Sequence, residues 1–264
     1  MQFNGKTLWI TGASSGIGKA VAIELSLKGC HLILSSRKKQ DLDKVALICR
    51  KNGSTTAVIP FDLGDPASIE SAAKIVFETE KQIHGLYHFG GISQRSYANE
   101  TSIAVDRKLF EVNFFGTIEL TKKVLPSMIE NGGGQIAVTT SIVGKFGFPY
   151  RSSYAATKHA LHGFFESLRA ENVTNKVLVS MIIPGRVKTN ISVHALDKDG
   201  NHHNKMDEGQ GKGMSPEAAA RTIVKKLEKG KKEILVGGRE LMMVHIRRFF
   251  PRLYYYLVNK VKPL

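Results

Sequence analysis

The chain has 264 residues, 42% hydrophobic and 23% charged, ordinary proportions for soluble globular protein that exclude disorder as the main state. Lys and Arg number 38 against 23 Asp and Glu, a formal charge of +15, which favours anionic partners; without a helix-turn-helix, zinc-finger or aromatic RNA-binding signature, specific nucleic-acid binding is not expected. Cys30 and Cys49 are no disulfide framework and read as small buried hydrophobes, while no apolar run reaches ~18 residues and the N-terminus has no room for a signal peptide, so a cytoplasmic protein is expected.

Thr7 to Ile10 reads as a buried strand, followed by Thr11-Gly12-Ala13-Ser14-Ser15-Gly16-Ile17-Gly18 and a helix with apolar positions Ile17, Val21 and Leu25. Strand, glycine turn and helix are the context that a dinucleotide site needs. Gly12 would allow the tight turn, Gly16 the approach of backbone to pyrophosphate, and Gly18 close helix–strand packing. The spacing is Gly-x-x-x-Gly-x-Gly rather than Gly-x-Gly-x-x-Gly. His31 to Ser36 is the second strand and runs into Arg37-Lys38-Lys39. An acidic residue there would bind a ribose diol; Arg37 and Lys38 suit a 2′-phosphate instead, which predicts NADP over NAD.

Asp41 to Arg50 is a predicted helix and Thr55 to Phe61 a strand ending at Asp62-Leu63, where Asp62 would accept from an adenine amine or cap a turn. A helix follows Pro66, and Leu86 to Phe89 is a further strand running into Gly90-Gly91. Ser93 to Glu100 reads as loop, and Ile103 to Ile129 as one long helix. Asn113 sits inside that helix, where asparagine competes for backbone bonds and so needs an explanation.

The next strand, Gln135 to Thr140, delivers Ser141 to its end, and a Gly- and Pro-containing loop leads to a helix opening near Ser152. Tyr154 and Lys158 are four apart and share a helix face. With Ser141 brought beside them, hydroxyl, phenol and ammonium can move a proton to or from an oxygen on carbon; alone, the Tyr–Lys pair could equally be a surface pair. Val177 to Ile183 is the sixth strand, ending at Pro184-Gly185. The polar, glycine-rich segment 186–213 reads as a mobile substrate lid; its His194, His202 and His203 lack the cysteine or carboxylate pattern of a metal site. Ser215-Pro216-Glu217 starts a helix, and Glu233 to Val236 is a last short strand. Strands alternating with helices predict one doubly wound, mostly parallel α/β sheet over residues 1–238.

Residues 239–264 form a distinct extension. Apolar and aromatic residues from Leu241 to Val258 interleave with Arg247, Arg248, Arg252, Lys260 and Lys262, and Pro251 should divide it into two short helices. Its composition fits a subunit interface in a homodimer or homotetramer, a flap over an apolar pocket, or a helix pair lying on an anionic membrane surface.

In their order, TGASSGIG at 11–18, Asp62, Asn113, Ser141, Tyr154-x-x-x-Lys158 and Pro184-Gly185 resemble a short-chain dehydrogenase/reductase across roughly Lys6 through Thr189. Within that family the chain is similar to the microsomal reductase branch that includes the eleven-beta hydroxysteroid dehydrogenases. The resemblance implies a Rossmann-type fold in which Tyr154 is the acid/base. Lys158 lowers its pKa and binds the nicotinamide ribose, Ser141 orients the carbonyl, and Asn113 holds a water in the proton relay. It implies an NADP(H) site drawing on Gly12, Ser14, Ser15, Gly16, Ile17, Gly18, Arg37, Lys38, Asp62, Leu63, Gly90, Tyr154, Lys158, Pro184, Gly185, Val187 and Thr189. His88-Phe89-Gly90-Gly91 stands where the family has Asn-Asn-Ala-Gly, so His88 is expected to replace the first asparagine's hydrogen bonds. The function so implied is reduction of a carbonyl, or oxidation of a secondary alcohol, on an apolar substrate such as a steroid, retinoid or lipid. A 3-oxoacyl carrier-protein reductase and a non-catalytic nucleotide sensor are the alternatives.

Overall fold

Parallel strands must be joined by long crossovers, and the alternation of strand and helix signals supplies them. The computed structural model describes residues 2–260; Lys262 lies outside them. Seven strands form one sheet: β1 (Thr7–Thr11), β2 (His31–Ser35), β3 (Thr55–Val58), β4 (Gly85–His88), β5 (Gly134–Thr139), β6 (Val177–Pro184) and β7 (Glu233–Val236). Their order is β3-β2-β1-β4-β5-β6-β7, and every neighbouring pair is parallel. The order reverses between β1 and β4, so the crevice beyond their C-terminal ends is the switch point where such sheets bind ligands.

Strand side chains alternate, and both faces are covered. Leu8 and Ile10 of β1 face a core with Val21 and Leu25 of α1 (Gly16–Ser26), Leu42 and Val45 of α2 (Lys39–Lys51), and Ile223 and Leu227 of α8 (Pro216–Glu228). Trp9 faces the other core, with Ile69 and Val76 of α3 (Pro66–Thr79), Leu120 and Val124 of α5 (Gly116–Glu130), and Leu161 and Phe165 of α6 (Ser152–Glu171). Cys30 and Cys49 are buried free thiols, as their apolar settings predict. Ser215 caps α8 by accepting from Ala218 N–H, with Pro216 following.

The expected single helix over 103–129 is interrupted. α4 (Ile103–Phe110) passes through a π-helical turn, Glu111–Phe115, before α5 begins. The wide turn contains Asn113 and so accommodates the residue that an α-helix tolerates poorly. Gly116 then lies against the loop after β3: a Cβ there would meet Leu63 O at 1.9 Å.

Segment 186–213 is held at several points. Val187 bridges to Met214, Leu196 bridges to both Gln94 and His202, and a single turn, α7 (Glu208–Gly211), closes it. Leu196 packs with Val105, Leu109 and Ile92. Pro251 divides the extension as expected, into α9 (Met242–Phe249) and α10 (Pro251–Lys260). No helix among the described residues is long and apolar enough to cross a membrane.

Candidate active site

Backbone geometry assembles the site first. Gly12 has φ +66, and a Cβ on it would come within 2.5 Å of Gly90 N; one on Gly18 would sit 2.4 Å from Gly12 O. These two glycines seat the ends of β1 and β4 against α1. Gly16 (φ +54) lies beside Thr189, whose methyl would be 3.2 Å from a Cβ there, so the glycine loop and the loop after β6 meet across the crevice. Ser15, the N-cap of α1, makes no side-chain cap bond, and the first turn has no acidic residue. Its N–H groups are thus suited to an anion. Ser14, Ser15 and Ile17 ride on this turn.

At the end of β2, Arg37 and Lys38 are exposed, and neither has an ion-pair partner among the described residues. Ser36 Oγ beside them is buried without a hydrogen-bond partner. A nucleotide bearing a 2′-phosphate would supply what all three lack, so the residues fit the group. Asp62 Oδ1 accepts from Gly64 N–H at 2.9 Å and so caps the turn, and Leu63 is buried below it. Pro184 ends β6. Gly185 donates to Val236 O at 2.8 Å and makes room for Glu240, whose carboxylate would lie 2.4 Å from a Cβ there. Val187 is buried in the bridge to Met214.

Ser141, at the end of β5, and Tyr154 and Lys158, on one face of α6, converge as the spacing predicts. Lys158 Nζ donates to Thr139 O at 2.9 Å and lies 5.7 Å from the centroid of the Tyr154 ring. Burial pushes the lysine down to about 8. Burial likewise raises the Tyr154 phenol above its ordinary range; Arg95, the Ser141 hydroxyl and Arg151 pull it back. Lys158, hydrogen-bonded to a neutral carbonyl, keeps its charge beside the ring, and the two arginines act on the phenol from neighbouring loops.

Asn113 is 1% exposed and flanks Gly91 opposite Lys158: a Cβ on Gly91 would be 2.9 Å from Asn113 Oδ1 and 3.7 Å from Lys158 Nζ. Its carboxamide is spent on protein. Oδ1 accepts from Ile92 N–H at 2.8 Å, while Nδ2 donates to Ile92 O at 2.9 Å and to Thr157 Oγ1 at 3.2 Å. A relay water would thus have to meet the Asn113 main-chain carbonyl, which also accepts from Thr117 Oγ1. His88 corrects a second expectation. It points into the core, with Nε2 at 3.0 Å from Thr121 Oγ1 and the ring against Phe165, and burial lowers it to about 3. The tie between strand ends comes from Gly90 N–H to Thr11 Oγ1.

Two residues in the segment read only as loop prove central. Gln94 is fully buried and its Oε1 accepts from Ser153 N–H (2.9 Å) and Tyr154 N–H (3.3 Å), capping the first turn of α6. Arg95 grips Asp207, 112 residues away. A Gln-Arg pair just after the Gly90-Gly91 turn was the only sequence signal, and it names no partner.

The chain belongs to the short-chain dehydrogenase family, whose profile matches residues 6–200. It is thus an NAD(P)-dependent oxidoreductase. It is 36% identical over 264 residues to a Drosophila melanogaster protein named dehydrogenase/reductase SDR family protein 7-like, covering 98% of this chain and 81% of that one. Among solved structures, a short-chain dehydrogenase/reductase from Burkholderia phymatum in complex with NAD superposes with a TM-score of 0.84 at 22% identity, over 96% of both chains. An alcohol dehydrogenase from the archaeon Thermococcus sibiricus, complexed with 5-hydroxy-NADP, gives 0.76 at 28% identity, over 89% of this chain and 97% of that one.

Proposed function

We propose that the protein is an NADP(H)-dependent reductase of apolar carbonyl compounds, steroid-, retinoid- or lipid-like, working equally as a dehydrogenase of the corresponding secondary alcohols. The observation that carries this reading is the wall around Tyr154. The phenol is grouped with Val143, Phe146, Ala155 and Tyr254, with Phe148, Met243 and Val244 packed on them, so a substrate reaching it meets hydrocarbon on one side. The 2′-phosphate preference rests on Arg37, Lys38 and the unpartnered Ser36 hydroxyl. The similarity to a dehydrogenase/reductase of the SDR 7-like group agrees with membership of the reductase branch suggested by the sequence.

NADP(H), when bound, supplies or takes the hydride. Tyr154 gives its phenolic proton to the substrate oxygen, or removes it in the reverse direction, while Ser141 holds that oxygen. Lys158 anchors the ribose side and, with Asn113 pinning the Gly91–Ile92 backbone, returns the proton to Tyr154. Residues 1–238 form the nucleotide and catalytic unit, 186–213 its lid, and 239–264 an extension that packs on that unit through Met243, Val244 and Tyr254 and turns its exposed face to an anionic membrane surface. Phe115, exposed at the start of α5, supports a dimer or tetramer built on that face.

The test is oxidation of NADPH and NADH with a panel of steroid ketones, retinal and acyl-thioesters, on the unmodified protein and on Arg37→Ala. Turnover of apolar ketones or retinal with NADPH is expected. Arg37→Ala should lose ~1.5–3 kcal/mol of NADPH affinity and leave NADH nearly untouched. Equal affinity for the two cofactors in the unmodified protein would contradict the assignment, and turnover confined to acyl-thioesters would replace it.

A further inference from the structure

Three charged side chains from three distant parts of the chain meet beside Tyr154. Arg95, in the loop after β4, donates from Nε to Asp207 Oδ2 at 3.0 Å and from Nη2 to the same oxygen at 2.6 Å. Its Nη1 donates to Ser93 Oγ (2.8 Å) and Gln94 O (2.6 Å). Arg151, the N-cap of α6, donates to Asp207 Oδ2 at 2.8 Å and stacks on Phe148. Asp207, in the 186–213 segment, opens α7. The Arg95 and Asp207 side chains are 3% and 12% exposed, so the pair is effectively out of water.

Two cations against one anion leave one positive charge in the cluster. Arg151 lies three residues before Tyr154, on the turn that aims it: Tyr150 is left-handed (φ 63), and Ala155 N–H bonds back to Arg151 O. The residue preceding Arg95, Gln94, caps the amide of Tyr154 itself. The cluster is thus fixed to the turn that carries Tyr154 by two backbone routes.

We propose that Arg95 and Arg151 are positioning residues whose surplus positive charge, left after pairing with Asp207, favours the proton-donating step of Tyr154, with Asp207 as the counterweight that the lid brings. The surplus adds to that of Lys158, whose Nζ donates to the neutral Thr139 carbonyl and keeps its charge 5.7 Å from the ring centroid; Ser141 is neutral, and Lys145 pairs with Glu233. Asp106 of α4 accepts from Ser153 Oγ, and His159 bonds the Ala155 carbonyl of its own helix. His203 of the lid is held toward neutrality by burial and Arg95. From the extension, Tyr254 is neutral and Arg247 lies over it. Arg95 is the first, and Arg151 a further, opposing influence on the burial that raises the phenol.

This assignment deepens the reading of Tyr154 as acid/base, but its test needs no turnover. Tyr154 is followed by NMR in free, ¹³C-tyrosine-labelled protein, its signal identified by its loss in Tyr154→Phe. Removing a cation or removing the anion breaks the same ion pairs, so a merely structural cluster moves both variants the same way. The charge assignment predicts opposite signs. Arg95→Gln should raise the titration midpoint by about one pH unit and Asp207→Asn should lower it by a similar amount. Arg95→Lys, which keeps the charge, should restore most of the shift. If Arg95→Gln does not fold, Arg151→Gln takes its place with the same sign. Shifts of one sign, or none, in the folded variants would overturn the proposal. With a ketone that the panel finds active, the pH profile of kcat/KM should move in the same two directions; absence of turnover would count against the proposed reaction and leave the NMR result to decide this one.

Discussion

Tyr154 and Lys158 are both buried, yet burial acts on them in opposite directions. It raises the phenol and pushes the ammonium down to about 8 from 10.5. For Lys158 the unfolded chain binds more protons than the folded one between those two values, so its burial penalty is full below about pH 8 and fades as pH rises toward 10.5. A buried side chain with so large a shift is a candidate for chemistry. Tyr154→Phe should abolish turnover while NADPH still binds, because the ring stays and only the proton donor leaves; near-normal turnover in the purified variant would end the assignment. Lys158→Met should also abolish turnover but gain about 1–3 kcal/mol of stability at pH 7, the gain shrinking above pH 8. Denaturant titrations at pH 7 and pH 9.5 measure both parts of that expectation. At this scale the meeting of Ser141, Tyr154 and Lys158 was legible, because four-residue spacing and strand ends are local facts. Arg95, Gln94 and Asp207 were not, since their meaning lies in contacts across 56 to 112 positions.

Among the elements, α4, the π turn and α5 show where local patterning stops informing. Apolar periodicity gave one helix, and Asn113 was marked as misplaced in it, but an inserted residue leaves the periodicity on either side almost intact. The strands were read within a few residues, and β3 ends at Val58 although Ile59 N–H and Phe61 N–H still donate to Leu34 O at 3.0 Å and Ser36 O at 3.1 Å, so the expected extension to Phe61 runs on beside β2. Glycines inside helices separate packing from propensity. Gly116 faces Leu63 backbone, so Gly116→Ala should destabilise by about 1–3 kcal/mol through overpacking, despite alanine's better helix propensity. Gly163, in α6, has nothing within 4 Å of a would-be Cβ. Gly163→Ala should therefore stabilise by about 0.5–1 kcal/mol. Thermal melts of the two variants should move in opposite directions, and a Gly116→Ala protein as stable as the parent would refute the close approach.

For the whole molecule, the extension is the unusual part. From Leu241 onward the sequence contains no acidic residue. Phe249, Phe250, Leu253, Tyr255 and Tyr256 are 45–64% exposed, and Arg247, Arg248 and Lys260 lie over aromatic rings of the same unit. Aromatic rings edged by cations suit the headgroup region of an anionic bilayer. The full chain should co-sediment with anionic liposomes at low salt and much less with neutral ones. Charge-reversed Arg248→Glu/Arg252→Glu protein, shown folded by circular dichroism, should stay in the supernatant. If the unmodified protein also stays there, the exposed face belongs to a subunit contact, which its sedimentation coefficient would reveal. The composition exposed this choice in the sequence but not its geometry, because no periodicity says which aromatic turns inward; Tyr254 does.

That inward tyrosine has a consequence for how the enzyme comes into being. Its hydroxyl donates to Gly147 O, 107 residues earlier, and its ring packs on Phe146, so the loop joining Ser141 to Tyr154 is clasped by a much later part of the chain. On the ribosome, where earlier segments fold first, the strands and glycine turn that cradle the nucleotide emerge long before that clasp. The clasp on the loop beside Tyr154 is therefore among the last contacts the chain can make, closing only once residue 254 has left the ribosome.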